Sequence, residues 1–114
     1  MKASEFLDLV KSSEFSIYWD DTAHDLCGSG AELYENNLTK ELKEKGYVLK
    51  SEDGYGGEGE GENYWGVFSV THNNEVTYFR LSGWYASYDG PEVDIYDLEE
   101  VHKVPVETYE WRAK

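Results

Sequence analysis

Apolar positions that recur every three or four residues predict two helices in the first half of the chain. The first covers residues 4–12, with Ser4 as its N-terminal cap, and its apolar stripe consists of Phe6, Leu9 and Val10. The second stripe consists of Ala31, Tyr34, Leu38 and Leu42. Gly46 is placed to end this second helix, and the pair Asn36-Asn37 is placed to bend or split it.

Alternating polar and apolar positions predict strands, most of them in the second half. They cover residues 15–19, 47–49, 63–71, 75–81 and 101–111. The tripeptide His72-Asn73-Asn74 predicts a hairpin turn, because asparagine tolerates a positive φ angle. Residues 20–30 are predicted to form a loop, and Pro105 favours an edge position or a bulge for the last strand.

The strand over residues 63–71 has apolar residues at both parities, which is typical of a central strand covered on both sides. One parity holds Tyr64, Phe68 and Val70, and the other holds Trp65 and Val67. Because there is no long repeat and no linker, we expect a single domain over residues 1–114. The predicted fold is α+β, with two helices packed on a four- or five-stranded, mostly antiparallel sheet.

The charge of the chain limits its partners. There are 24 acidic and 10 basic residues, which give a formal net charge of -14 at pH 7. Binding to nucleic acid requires lysine and arginine to neutralise phosphates, so direct binding to nucleic acid or to an anionic membrane is disfavoured. A basic protein surface is the partner that this charge attracts.

The N-terminal half indicates a cytoplasmic protein. Cys27 is the single cysteine and cannot form an internal disulfide, which fits a reducing compartment. Glu5 and Asp8 interrupt the first apolar residues, so no signal peptide is predicted. No apolar run approaches the roughly 20 residues that span a bilayer.

The densest group of metal-ligand residue types lies within residues 20–27. It consists of Asp20, Asp21, His24, Asp25 and Cys27. Their spacing matches no standard zinc or iron pattern, and His24 and Asp25 also fit a role in capping the next turn. The chain contains no nucleophile elbow and no phosphate-binding glycine loop. We expect no enzymatic activity, no cofactor and no dedicated metal site.

Two acidic segments are the best candidates for a binding surface. The first, the acidic ribbon of residues 56–62, alternates glycine with Glu58, Glu60 and Glu62. In an extended strand these carboxylates would lie about 6–7 Å apart on one side. Phosphates along one DNA strand advance about 3.4 Å per nucleotide, so the ribbon offers about one charge for every two nucleotides.

The second acidic segment covers residues 89–100, has no basic residue and includes Asp89, Glu92 and Asp94. If both segments share a face, they could occupy a groove in which a partner protein normally binds nucleic acid. Otherwise they only keep the protein soluble. Tyr55 and Tyr88 lie beside the two segments and are predicted anchors, because tyrosine is frequent at binding hot spots.

Four segments resemble those of small acidic proteins encoded by tailed bacteriophages. They are Gly-Gly-Glu-Gly-Glu-Gly-Glu-Asn-Tyr-Trp-Gly-Val-Phe, Tyr78-Phe79-Arg80, Gly83-Trp84-Tyr85-Ala86-Ser87-Tyr88-Asp89-Gly90, and Glu100-Val101 with Val104-Pro105-Val106-Glu107. The resemblance spans about residues 54–111 and supplies no catalytic residue. It implies a phage origin and action in the host bacterial cytoplasm, where small acidic phage proteins often bind a host or defence protein.

The predicted function is that of a non-enzymatic phage accessory protein that inhibits a host or defence protein through an acidic, nucleic-acid-mimicking surface. The predicted contact residues are Tyr55, Glu58, Glu60, Glu62, Tyr88, Asp89, Glu92 and Asp94. Two alternatives stay open. One is a small-ligand or metal-dependent module built on residues 20–27, and the other is a structural phage accessory protein that associates through the edge around Pro105.

Overall fold

Three α-helices and a four-stranded antiparallel sheet make up the computed structural model of the chain, which describes residues 1–28, 30–56, 62–86 and 90–103. For residues 62–63, 84–86 and 90–97 it describes only the course of the backbone. The helices are α1 (Ala3–Lys11), α2 (Trp19–Asp25) and α3 (Asn37–Glu44). The strands are β1 (Val48–Tyr55), β2 (Glu62–His72), β3 (Glu75–Ala86) and β4 (Gly90–Val101). The predicted α+β class is confirmed, with one helix more than expected.

Helix α1 follows its predicted apolar stripe, but it begins earlier. Phe6 and Val10 are buried, whereas Leu9 is partly exposed. Lys2, and not Ser4, occupies the N-cap position, and no side-chain hydrogen bond caps this end of the helix. The predicted cap is therefore wrong, because the helix starts one residue before Ser4.

Residues 15–30 differ from the prediction. The predicted strand over residues 15–19 is a single 3₁₀ turn, Ser16–Tyr18, followed directly by α2. Ile17 is 80% exposed, so the alternation of Phe15, Ile17 and Trp19 does not mark one buried face. Trp19 is buried as the first residue of α2, which replaces residues 20–25 of the predicted loop. Five alternating residues are too few to specify a strand when no neighbouring strand pairs with them.

Helix α3 is shorter than the predicted second helix because asparagine starts it. The Asn36 side chain accepts a hydrogen bond from the Thr39 backbone N–H at 3.0 Å, and the Thr39 hydroxyl accepts one from Asn36 N–H at 2.8 Å. This capping box excludes the preceding residues from the helix, so Tyr34 is 60% exposed. Gly46 ends the helix with a φ angle of +92°, as predicted.

The sheet is a meander with the strand order β1-β2-β3-β4. Its β2–β3 turn is confirmed: Asn73 and Asn74 have φ angles of 52° and 65°, the paired positive values of a two-residue hairpin. Strand β4 was not predicted, since its apolar residues are spread among carboxylates. The predicted strand over residues 101–111 lies outside the described residues from position 104 onwards.

The helices pack against one face of the sheet around an aromatic cluster. Phe6 of α1 lies 5.6 Å from Phe68 and 5.4 Å from Phe79, measured between ring centroids. Trp19 packs edge-on against Phe6 at 5.5 Å. Such pairs add to the stabilisation from apolar burial, which makes this cluster the centre of the core.

The segment after α2 lies directly on the same face of the sheet. The Gly28 N–H donates a hydrogen bond to the Trp65 carbonyl oxygen at 3.0 Å, and the Tyr64 hydroxyl donates one to the Cys27 carbonyl oxygen at 3.2 Å. These bonds fix the backbone of β2 at Trp65, whose side chain lies on the opposite face. Among the described helices, none is long and apolar enough to cross a membrane.

Candidate interaction surface

The meander brings the strand ends beside both acidic segments to one end of the sheet. Strand β1 ends at Tyr55 and β2 begins at Glu62, while β3 ends at Ala86 and β4 begins at Gly90. In an antiparallel meander the first and third connections leave the sheet at the same end. The acidic ribbon is the first of these connections, and the third begins directly after Ala86.

The predicted contact residues are described to different extents. Glu58, Glu60, Tyr88 and Asp89 lie outside the described residues. The backbone of Glu62 pairs with Tyr85, and that of Glu92 pairs with Trp84.

Glu62 and Glu92 therefore flank β3 from its two sides, about 10 Å apart at the usual strand spacing. They occupy alternate positions of the pleat and therefore belong to opposite faces of the sheet. What they share is their position at one end of it. Asp94 follows the last pair before the β3–β4 register shifts.

The face of the sheet that points away from the helices, here called the open face, carries apolar residues among its polar ones. No described helix packs on it. Its apolar residues are Val48, Tyr55, Trp65, Val67, Val76, Tyr78 and Val101, all of them at least partly exposed. A solvated sheet face normally carries polar residues, and an exposed apolar patch of this kind is typical of an interaction site. Strand β2 is an inner strand between β1 and β3, as predicted, but the predicted cover on both of its faces is wrong for the described residues: Phe68 and Val70 are buried, whereas Trp65 and Val67 are partly exposed.

A groove of about 520 Å³ runs across the open face. Its lining consists of Glu52, Asp53, Trp65, Val67, Tyr78, Arg80, Val101, His102 and Lys103. Tyr55, a predicted anchor, stacks on Trp65 with a centroid distance of 5.9 Å and an interplanar angle of 16°. Tyr55 remains 52% exposed, so the ring pair presents an aromatic surface to solvent beside the groove.

The cations and the carboxylates of the groove lie on different walls. On the β3–β4 wall, Arg80 donates a hydrogen bond to Glu99 at 3.2 Å, and the Lys103 ammonium lies 5.1 Å from the centre of the Tyr78 ring. On the β1 wall, Glu52 and Asp53 form no ion pair with any described residue. Arg80 and Glu99 balance each other, so Glu52 and Asp53 stand against the single charge of Lys103 and the net charge of the groove is negative.

A β-bulge places Glu52 and Asp53 on this wall. Ser51 pairs with Phe68, but the next pair joins Asp53 to Val67, so Glu52 is the extra residue of β1. Bulges interrupt the strict alternation of a strand, which allows two consecutive carboxylates to line one groove. The Gly54 N–H donates a hydrogen bond to Asp53 Oδ1 at 2.8 Å and holds that carboxylate in place.

The cluster over residues 20–27 has local structural roles. The His24 Nδ1–H donates a hydrogen bond to the Asp20 carbonyl oxygen at 2.8 Å within α2. Burial raises the pKa of the Cys27 thiol to about 12, which keeps it protonated and a poor metal ligand. Burial and the neighbouring Asp21 carboxylate raise the pKa of Asp25. Within the described part of the chain, no three His, Cys, Asp or Glu side chains converge as a metal site would require.

The groove was missed at the sequence level, apart from Tyr55. The shared parity of Trp65 and Val67 indicates an apolar second face of β2, but the sequence pattern predicts that this face is covered. Comparison of the chain with protein-family models, curated proteins and solved structures found no match. A proposed function therefore depends on the geometry and charge described above and, for a phage origin, on the resemblance over residues 54–111.

Proposed function

We propose that this chain is a non-enzymatic phage accessory protein that binds and inhibits a host or defence protein through its acidic surface. The surface comprises the acidic ribbon and the start of β4, at one end of the sheet. The partner is a protein with a basic surface that normally contacts nucleic acid. The site acts in the host bacterial cytoplasm and requires no cofactor.

One observation carries the proposal: the sheet meander joins the acidic ribbon and the start of the second acidic segment to the same end of the sheet. A second supports it, because every described carboxylate side chain except Asp25 and Glu41 is exposed. Few of these charges are balanced, since three ion pairs occur among the described residues and one of them involves a histidine. A surface of this charge raises the encounter rate with a basic partner and repels nucleic acid.

Inhibition follows from competition for the same basic surface. Carboxylates spaced about 6–7 Å apart along the ribbon would pair with lysines and arginines that otherwise bind phosphates. Binding should weaken as salt rises, because exposed charges are screened over about 8 Å at physiological ionic strength. DNA should displace the chain from its partner.

The test is charge reversal at the proposed surface with an equal reversal elsewhere. Glu58, Glu60 and Glu62 are replaced by lysine in one variant, and Glu5, Asp8 and Glu14, which are exposed in or near α1, are replaced by lysine in the control. Immobilised protein first retains its partner from bacterial lysate at low salt, and the purified partner is then titrated against each variant.

We expect the ribbon variant to bind about tenfold or more weaker and the control variant to bind nearly as well as the unmodified chain. Elution of the partner by duplex DNA at constant salt would support the mimicry. A folded ribbon variant with unchanged affinity would contradict the proposed surface, as would equal losses in both variants.

A further inference from the structure

We infer that the groove on the open face binds an arginine side chain of the basic partner, with the guanidinium between Trp65 and the carboxylates of Glu52 and Asp53. This inference rests on the proposed function and adds a specific contact to it. The ribbon would attract the partner over a distance, and the groove would hold one of its side chains.

The charges of the groove select a cation. Arg80 is neutralised by Glu99, whereas the Lys103 ammonium lies over the Tyr78 ring and keeps its positive charge. Glu52 and Asp53 have no such counter-ion among the described residues. The two carboxylates on the β1 wall outnumber this one remaining cation, so the groove favours an incoming cation on that wall over an anion.

The aromatic rings of the groove favour arginine over lysine as this cation. A cation is attracted to the face of an aromatic ring within about 6 Å of its centre, and tryptophan gives the strongest attraction. Lys103 already makes this contact with Tyr78 on the same face. Arginine adds a planar guanidinium that stacks on a ring while it donates two parallel hydrogen bonds to a carboxylate, which lysine cannot do.

The size of the groove fits a side chain with part of its backbone. Its volume of about 520 Å³ falls in the usual range for ligand sites, about 300–1,000 Å³. Trp65 and Val67 supply an apolar floor for the methylene groups of arginine, and the carboxylates lie at the border of the groove.

The experiment uses the full chain and a capped tetrapeptide, acetyl-Gly-Arg-Gly-Gly-amide. The matched probe has citrulline in place of arginine, which has almost the same size and no charge. Titrations are followed by NMR through the indole N–H signal of Trp65, assigned with a Trp65→Phe variant whose folding is checked by urea denaturation. We expect millimolar binding of the arginine peptide, a shift of the Trp65 signal, and no saturable shift with citrulline.

Variants test the two recognition elements separately. Asp53→Asn and Glu52→Gln should each weaken peptide binding about two- to fivefold, the usual range for one exposed charge or cation–π contact. Glu75→Gln removes the same charge at the β2–β3 turn and should leave binding unchanged, because Glu75 has the parity of the buried Phe79 and belongs to the face opposite the groove.

The inference is overturned if arginine and citrulline peptides bind alike, or if Glu75→Gln weakens binding as much as Asp53→Asn. It is also overturned if sedimentation shows a dimer that Asp53→Lys and Arg80→Glu each dissociate, since a second copy would then occupy the groove. If the partner binds the ribbon variant more weakly but binds Asp53→Asn normally, the proposed function stands and the role of the groove is refuted. If only Asp53→Asn weakens binding of the partner, the groove contact stands and the role of the acidic ribbon is refuted.

Discussion

Replacement of Gly66 by alanine should test how the segment after α2 is seated on the sheet. A Cβ atom added at Gly66 would lie 2.6 Å from the Leu26 carbonyl carbon, 2.9 Å from Cys27 Cα and closer still to the Leu26 carbonyl oxygen. All three are backbone atoms, so no side-chain rotation relieves the overlap. The segment would have to move away from β2 by about 1 Å to restore ordinary carbon–carbon contacts.

The cost follows from this displacement. Overpacking a core by one methyl group usually costs about 1–3 kcal/mol, and a rigid backbone neighbour favours the upper end of that range. The movement also weakens the hydrogen bond from Gly28 N–H to the Trp65 carbonyl oxygen, which contributes about 0.5–1.5 kcal/mol. We therefore expect Gly66→Ala to lower the free energy of unfolding by about 3 kcal/mol, which corresponds to about 12 °C in Tm for a domain of this size.

Gly30→Ala provides the matched control, because the same added methyl group meets no atom within 4 Å there. Its effect should stay within about 0.5 kcal/mol of zero, or stabilise slightly by restricting the unfolded chain. Urea denaturation followed by tryptophan fluorescence and circular dichroism gives both values. If Gly66→Ala and Gly30→Ala unfold at the same urea concentration, the described seating of residues 26–28 on β2 is wrong.

Three further predictions concern the cap, the carboxylates and the thiol. Asn36→Ala should cost about 1 kcal/mol by removing the α3 cap, whereas Asn37→Ala, one residue later and exposed, should be nearly neutral in the same urea assay. The raised pKa of Asp25 means that stability falls as pH rises through the window above 3.8, so Asp25→Asn should stabilise the domain at pH 7 and not at pH 3. The Ser13 hydroxyl donates a hydrogen bond to Glu41 and is the largest cause of the lowered pKa of Glu41. The lowered pKa stabilises the folded state above pH 4.5, and this stability is lost as pH falls, so Glu41→Gln should destabilise the domain at pH 7 only. Parallel pH profiles of stability for Asp25→Asn and Glu41→Gln would refute both assignments. Since its pKa is about 12, the Cys27 thiol should react with a disulfide reagent at pH 8 only after urea unfolds the chain, and rapid labelling of the folded protein would contradict its burial.

Local patterns were sufficient where one residue type sets the geometry. The hairpin at Asn73-Asn74 and the helix end at Gly46 were predicted because both require positive φ angles that few other residues adopt. The stripe of Phe6 and Val10 was sufficient to place α1. The net charge of -14 likewise follows from composition alone, and with it the preference for a basic partner.

Local patterns failed where the outcome depended on distant residues. Ile17 lies in an alternating pattern that is typical of a strand. No neighbouring strand pairs with this segment, so it forms a helical turn. Strand β4 forms because β3 offers it backbone partners, although its own sequence intersperses as many carboxylates as apolar residues. Both cases reflect the dependence of strand formation on cross-strand neighbours.

The candidate surface shows the same division. Sequence alone determined that the chain is acidic, that Tyr55 stands beside the ribbon, and that β2 carries apolar residues at both parities. Tertiary structure decided that the acidic ribbon and the start of the second acidic segment adjoin one end of the sheet, that Tyr55 stacks on Trp65, and that a bulge at Glu52 sets two carboxylates on the wall of a groove. The reason is physical: charge and side-chain parity are properties of each position, whereas register, bulges and shared ends arise only when separate strands pair.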